Sequence, residues 1–289
     1  MKPFIFTYHD PAKLGDALGL LGRLENVKPL AGGQSLMAMV NMRFVQPDHI
    51  IDLNLIEELA GIHKIPGAIR IGATTRQSEL EFSPMIAQDL PLLKEAIVHV
   101  GHRQTRNRGT LGGSLCHLDP AAEMVTIAAA YDAVVEIASS VEHREIQFHE
   151  FPFGFMMPSM GQNELLVAVR FPLWPPEHGH AFVEFSRRHG DFAIVSAAAL
   201  ILLDSKGVII RASLTLGGVD VAPIRMTEIE NHMLGEVPTG DLIEYASERC
   251  RGIEALSDAL ITKEYRQSLA VVMAKRALST ACERASQPR

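Results

Sequence analysis

Cysteine is scarce in this chain. Cys116, Cys250 and Cys282 are its three, too few and too scattered to hold an iron–sulfur cluster or a tetrahedral zinc site. Reduced, structural thiols are expected. No long basic stripe runs along the sequence, and 27 basic against 34 acidic residues leave a net charge of −7, which argues against nucleic acid as a partner. Long apolar runs are missing too. The longest, residues 193–203, is broken by Ser196 and is too short to cross a bilayer, so it reads as a buried strand and no membrane span is expected. The opening Met1-Lys2-Pro3-Phe4-Ile5-Phe6 soon meets His9, Asp10 and Pro11 instead of forming a charged-then-apolar leader, which points to a cytoplasmic location.

Several catalytic signatures are absent as well. A nicotinamide-binding Rossmann turn needs Gly-x-Gly-x-x-Gly between a strand and a helix, and this chain has neither that nor a Walker A loop. No Gly-x-Ser-x-Gly elbow presents a nucleophile, so a Ser-His-Asp hydrolase could be assembled only by choosing freely among 12 histidines. His99 and His102 lie near a predicted helix end with His117 and Asp119 downstream, but such spacing arises often by chance and no metal site is assigned.

What is present is a pair of glycine-centred segments, Ala31-Gly32-Gly33-Gln34-Ser35 and Thr110-Leu111-Gly112-Gly113-Ser114, each following an apolar stretch. Glycine lets the main chain turn its N–H groups toward an anion without a Cβ in the way, and the Ser and Thr hydroxyls add donors. Gly-Gly beside Ser is also ordinary turn chemistry, so either segment alone says little. Together they read as two halves of one cradle for an anionic, phosphate-bearing cofactor.

Periodicity places these segments. Residues 4–8 read as a strand, 11–24 as an amphipathic helix and 27–30 as a strand running into the first glycine loop. Ser35 is the expected N-cap of a helix over 36–43, setting the loop's N–H groups beside a positive helix end. Strands follow at 50–53 and 69–73, a helix over 90–100 ends at Gly101, and the donor-rich stretch 101–123 reads as irregular. Within it Arg103, Arg106 and Arg108 form a local cluster, as readily a solvated surface as a contact to cofactor or partner. Asp119 is placed to cap the next helix, with Pro120 in its first turn and residues 124–130 as its buried side. Strands at 133–138 and 165–171 precede Pro172-Leu173-Trp174-Pro175-Pro176-Glu177-His178-Gly179, which reads as a linker. Beyond it, strands at 182–185, 193–203 and 208–216 predict an antiparallel sheet, followed by helices at 241–250 and 264–284 and a polar tail from Ser286 to Arg289. With 289 residues and 47% apolar content, a sizeable core and two modest domains are expected.

Over nearly its whole length the chain resembles the FAD-binding medium subunit of the molybdenum hydroxylases, the family of carbon monoxide dehydrogenase and xanthine dehydrogenase. The resemblance rests on the Ala31 to Ser35 loop, on Arg106-Asn107-Arg108-Gly109-Thr110-Leu111-Gly112-Gly113-Ser114 continuing to Asp119-Pro120, and on Gly190-Asp191-Phe192-Ala193. It implies an α+β fold: a two-subdomain FAD-binding fold of the vanillyl-alcohol-oxidase type over residues 1–173, divided near 55–65, then a smaller domain of antiparallel sheet and helices over 177–285. By the same resemblance, Lys28, Leu30, Ala31, Gly32, Gly33, Gln34, Ser35 and Leu36 would line the FAD pyrophosphate, largely through main-chain donors. Thr110, Gly112, Gly113 and Ser114 would close the second side, and Asp119 would accept hydrogen bonds from cofactor hydroxyls. Val100 and Gly101 would touch the adenosine half, Leu165 and Leu166 would make apolar contacts, and Phe192 would lie beside the isoalloxazine.

The implied function is electron transfer without a catalytic acid or base in this chain. A small subunit with 2Fe-2S clusters and a large subunit with molybdopterin-bound molybdenum would be its partners, and an external acceptor would take the electrons. Two departures stand out: Phe192 replaces a Tyr found in some relatives, and Cys116 sits where a small apolar residue is expected. The competing readings are a stand-alone flavin oxidase, which would need a base beside the flavin, and a cofactor-free assembly protein, against which the intact glycines argue.

Overall fold

The computed structural model describes residues 2–287 and distributes their strands among a three-stranded, a five-stranded and a four-stranded sheet and a short hairpin. The first sheet is parallel, with β1 (Thr7–His9), β2 (Val27–Leu30) and β3 (His49–Asp52) in the order β1-β3-β2. Helices α1 (Leu14–Arg23) and α2 (Leu36–Asn41) make the crossovers. α1 buries Ala17, Leu18 and Leu21, spaced to share one face, against Ile51, Leu53, Ile56 and Leu59. The first strand starts later than residues 4–8 suggest, because its partner begins at His49, opposite Thr7; Phe4 and Ile5 are exposed. Since β2 and β3 run parallel with Leu30 opposite Asp52, their carboxyl ends lie side by side. The first glycine loop and the run Asp52-Leu53-Asn54 therefore leave the same edge of the sheet.

The middle region holds β4 (Ile62–Ile65), β5 (Ala68–Gly72), α3 (Gln77–Phe82), α4 (Pro84–Asp89), α5 (Pro91–Ile97), α6 (Arg103–Arg108), α7 (Leu111–His117) and α8 (Glu123–Ala130). It closes with β6 (Val134–Ala138), β7 (His143–Gln147), the hairpin β8 (Pro152–Gly154) and β9 (Met157–Pro158), and β10 (Leu165–Pro172). Its antiparallel sheet runs β4-β5-β10-β6-β7. β10 is apolar on both faces because each face has a core: Leu165 and Val167 join the N-terminal cluster, Leu166, Val169 and Phe171 the middle one.

The stretch 101–123 is not irregular, since it contains α6 and α7. Gly109 ends the first, and Thr110 starts the second by accepting the Gly113 N–H at 3.1 Å. Two glycines in the first turn of α7 disguise it, because glycine is a poor helix former. Asp119 does not cap α8, whose cap position is Ala122; its carboxylate instead accepts the Ala121 N–H at 2.9 Å in the turn before it.

The last region forms the antiparallel sheet β11 (Gly179–Phe185), β12 (Val195–Leu203), β13 (Ile209–Gly217) and β14 (Ile224–Arg225), with α9 (Thr227–Met233), α10 (Gly240–Arg249) and α11 (Lys263–Ser286). β12 is buried from both sides. Ala198 and Leu200 face the middle core, whereas Ala197, Ala199 and Ile201 face the cluster under α11, which explains a strand without polar alternation. A Cβ on Gly179 would stand 1.8 Å from the Ala281 carbonyl, so the long helix lies against bare main chain at the sheet's edge. The expected tail from Ser286 is helical at its first residue; Pro288 and Arg289 lie outside the described residues.

Arg106, read as either a solvated surface residue or a contact to cofactor or partner, is instead 9% exposed inside the protein. Its guanidinium grips Glu81 at 2.8 and 3.2 Å and takes the carbonyls of Val98 and Val100 at 3.3 and 3.1 Å. It thereby ties α3 to the end of α5. Arg106→Met strands the buried Glu81 carboxylate and should cost about 3 kcal/mol or more of unfolding free energy in a urea titration at pH 7. Arg106 holds the Glu81 carboxyl below its ordinary range. The stabilisation is therefore complete above about pH 4.3 and fades as pH falls through the lower folded value; the variant should lack this acid-side loss.

Candidate cofactor-binding cleft

The first glycine loop carries a row of unused donors. Among the described residues, none of the amides of Ala31, Gly32, Gly33, Gln34 and Ser35 donates to a protein acceptor. Gly33 takes φ +74°, the left-handed value that lets successive N–H groups converge. Ser35 stands at the start of α2 in helical conformation, but its hydroxyl makes no capping hydrogen bond, so the expected N-cap is not formed. Lys28 is exposed on β2, and Leu30 and Leu36 are partly buried beside the loop.

The second segment is built differently. Leu111 N–H donates to Thr75 O at 3.2 Å, Gly112 N–H to Ala73 O at 2.9 Å and Ser114 N–H to Thr110 O at 3.1 Å, while Gly113 N–H is held by the Thr110 hydroxyl. Its amides are spent on the fold. The cradle is therefore one-sided in donors, contrary to the expectation of two matching halves. Packing explains the glycines instead. A Cβ on Gly32 would sit 2.2 Å from the Arg108 carbonyl oxygen, and one on Gly112 would sit 2.7 Å from Ala73 Cβ. At Gly113 it would meet the Thr110 hydroxyl at 2.7 Å on the side facing Ala31, 3.8 Å away.

A polar bridge missed in the sequence holds the two segments together. The Asp52 carboxylate accepts the Tyr8 hydroxyl and both the main-chain and side-chain N–H of Asn54. That contact pushes the Tyr8 hydroxyl up to about 12. Asn54 Nδ2 also donates to the Ala31 carbonyl at 3.0 Å, and Asn54 Oδ1 accepts from Arg76, whose other terminal nitrogen donates to the Arg108 carbonyl at 2.5 Å. The signal that could have found Asn54 is the parallel pairing of β2 and β3, which puts whatever follows each strand at one edge.

The third wall comes from the last region. Gly190, at φ +85°, lies on His102, where a Cβ would approach the imidazole to 2.4 Å, and the His189 ring stands 6.1 Å from it. Phe192 follows on this loop and is 61% exposed. Val100 is partly buried against the middle core, and Gly101 takes φ +47° just before His102. Leu165 and Leu166 do not offer side chains to an open surface: they are 4% and 1% exposed, in two different cores. Cys116 packs partly buried against the middle core, where burial pushes its thiol up to about 12.

Near this wall lies a partly buried acid–imidazole group. His99 Nδ1 is 3.3 Å from Glu184, whose carboxylate holds the imidazole above its ordinary pKa, and the His99 ring tilts over Phe182 at 5.5 Å. Glu123, 4% exposed at the start of α8, is pushed up to about 7 by burial first and by Glu184 next.

A family model for the FAD-binding domain in molybdopterin dehydrogenase matches residues 4–174, and one for the CO dehydrogenase flavoprotein C-terminal domain matches residues 180–281. The chain belongs to the molybdenum hydroxylases, as an FAD-binding medium subunit. It is 38% identical over 287 residues to subunit alpha of the 6-hydroxypseudooxynicotine dehydrogenase complex of Paenarthrobacter nicotinovorans, covering 99% of this chain and 97% of that one. To the carbon monoxide dehydrogenase medium chain of Hydrogenophaga pseudoflava it is 33% identical, covering 98% and 99%. The crystal structure of quinoline 2-oxidoreductase from Pseudomonas putida 86 superposes on this medium subunit with a TM-score of 0.95 at 32% identity, covering 99% and 100%. The family bears out the resemblance, the α+β fold and the oxidoreductase class. The row of unused amides fits the group the family implies, because an FAD pyrophosphate is an anion that wants several convergent donors.

The raised Glu123 favours the acid form in the fold. Its contribution is complete below about pH 4.3 and is lost as pH rises through about 7. Glu123→Gln, which mimics the neutral acid, should match the wild type in thermal unfolding near pH 4.5 and exceed it by roughly 3 to 4 kcal/mol at pH 8.

Proposed function

We propose that this medium subunit holds FAD as the electron outlet of a three-subunit complex, receiving electrons from 2Fe-2S clusters of a small subunit whose large partner carries molybdopterin-bound molybdenum, and releasing them to an external acceptor. The observation that supports it best is the donor row from Ala31 to Ser35, set against the Arg108–Gly109 main chain at a contact that leaves no room for a side chain. Bound there, FAD would supply the exchange between one-electron and two-electron transfer. The residues of this chain would bind and orient it: Ala31 through Ser35 by main-chain donors, Lys28 by charge, Ser114 through its hydroxyl, the free oxygen of Asp119 by accepting from cofactor hydroxyls, and Val100 and Gly101 at the adenosine end. Phe192 would cover the ring system and, lacking a hydroxyl, would donate nothing to it.

Three further observations fit a shared task. Burial pushes Cys116 and Cys250 up to about 12 and Cys282 up to about 11, so the thiols of this chain resist becoming the thiolates a cluster needs. The relatives are named for 6-hydroxypseudooxynicotine, carbon monoxide and quinoline, which suits a subunit whose own fold does not choose the substrate. No helix among the described residues is long and apolar enough to cross a membrane, in keeping with a complex working in the cytoplasm. The chain would divide into an FAD-binding part over residues 1–173 and a C-terminal part over 177–285.

Purification of the native complex tests this reading. The expected preparation shows flavin absorption with molybdenum, iron and two further chains, whereas flavin with this chain alone, or no flavin at all, overturns it. Gly113→Val supplies the local test. Its side chain would fill the gap between Thr110 and Ala31, so bound FAD should fall at least tenfold, with a loss of about 1 kcal/mol in stability for the disturbed Thr110 cap. Stoichiometric FAD in that variant would remove the cleft assignment.

A further inference from the structure

Asn54 and Arg76 lie outside both glycine segments, yet between them they hold a carbonyl of the first, that of Ala31, and the Arg108 carbonyl just before the second. Asn54 Nδ2 takes the Ala31 carbonyl at 3.0 Å and Arg76 takes the Arg108 carbonyl at 2.5 Å, while the two side chains bond to each other. The peptide following Ala31 is trans, as are all described peptides, so its C=O and N–H point in opposite directions. Drawing the Ala31 carbonyl back onto Asn54 therefore aims the Gly32 N–H away from the protein interior. Without that hold, no other hydrogen bond among the described residues fixes the peptide, and rotation would put a carbonyl oxygen where an anion's donor should be.

Arg76 gives the hold its rigidity. Its planar fork spans an acceptor on the edge of the parallel sheet and another at the end of α6, so one side chain braces the loop against the start of the second segment. Asp52 completes the arrangement by accepting from Asn54 and so fixing which way its amide faces. We propose that the Asn54–Arg76 bridge is a positioning device for the cofactor's diphosphate: it locks the Gly32 peptide in the anion-binding orientation and fixes the separation of the two segments. This inference rests on the proposed FAD role of the cleft.

Two variants separate orientation from charge and from general stability. Asn54→Leu keeps the size but removes the donor to Ala31 and the acceptor for Arg76 without adding charge. Arg76→Lys keeps the positive charge but cannot fork between two acceptors. On the full chain freed of flavin, binding of FAD, of ADP and of riboflavin would be followed by fluorescence and calorimetry, with the thermal midpoint of the unliganded protein alongside. The bridge predicts that each variant weakens FAD and ADP on the order of tenfold, while riboflavin, which has no phosphate, and the midpoint hardly change. Wild-type affinity for FAD and ADP in both variants overturns the proposal. So does an equal loss for ADP and riboflavin with a fallen midpoint, which marks a structural role alone. Should the wild type bind neither FAD nor ADP, the flavoprotein reading itself falls and takes this inference with it.

Discussion

Two stretches of main chain, one leaving a parallel sheet and one leaving α6, meet at Gly32 and Arg108 with nothing between them. Any side chain at position 32 would stand 2.2 Å from a carbonyl oxygen, so the contact exists only with glycine. From it follow the placement of the unused amides, the closeness of Thr110 and Gly113 to Ala31, and the need for a polar bridge to hold two carbonyls that would otherwise face each other's peptides. The bridge then recruits Asp52 and Tyr8, so the edge of the first sheet and the entry to α3 become one unit. Arg106 does the same from behind, tying the end of α5 to α3 through Glu81 and leaving the Val100–Gly101 turn fixed in the wall.

The chain is acidic as a whole, at −7, yet the cleft is not. Its nearest carboxylates are engaged: Asp52 with Tyr8 and Asn54, and one oxygen of Asp119 with the Ala121 amide. The donor side gathers five main-chain N–H groups with Arg76 and Lys28 close by. Local potential, rather than net charge, decides which ligand enters.

Much of this was legible in the sequence, and what was not has identifiable causes. β1 to β3, β5, β6, β10 to β13 and the last two helices follow from apolar periodicity, whereas the short or more polar β4, β7 to β9 and β14 were not read; β12 was recognisable as buried because an unbroken apolar run has few other homes. The first glycine loop was found because glycine beside a strand end is a local signal. The helix α7 was missed because two glycines outweighed a Thr N-cap, and α6 because Arg-Gln-Thr-Arg-Asn-Arg has no apolar face to reveal it. Asn54 and Arg76 were invisible for a different reason: each is an ordinary polar residue until the pairing of β2 with β3 brings it to the loop. The roles of Gly32 and Gly112 were read as room for a ligand, whereas their Cβ positions point into protein.

The last region contributes to the cleft in the same currency of bare main chain. Gly190 rests on His102, Gly217 would drive a Cβ to 2.1 Å from the Thr126 hydroxyl, and Gly218 N–H donates to the Pro120 carbonyl at 2.8 Å. Arg284 reaches back to Glu95 at 2.7 Å, and Glu184 reaches His99. These contacts leave the sheet little freedom to slide over the middle region, so Phe192 is carried on a loop whose base is fixed even though its ring is exposed. A rigid wall with an exposed aromatic at its rim suits a surface that another chain completes. On the proposed reading the fold can stay constant while the substrate changes, because the molecule being oxidised would meet a different chain.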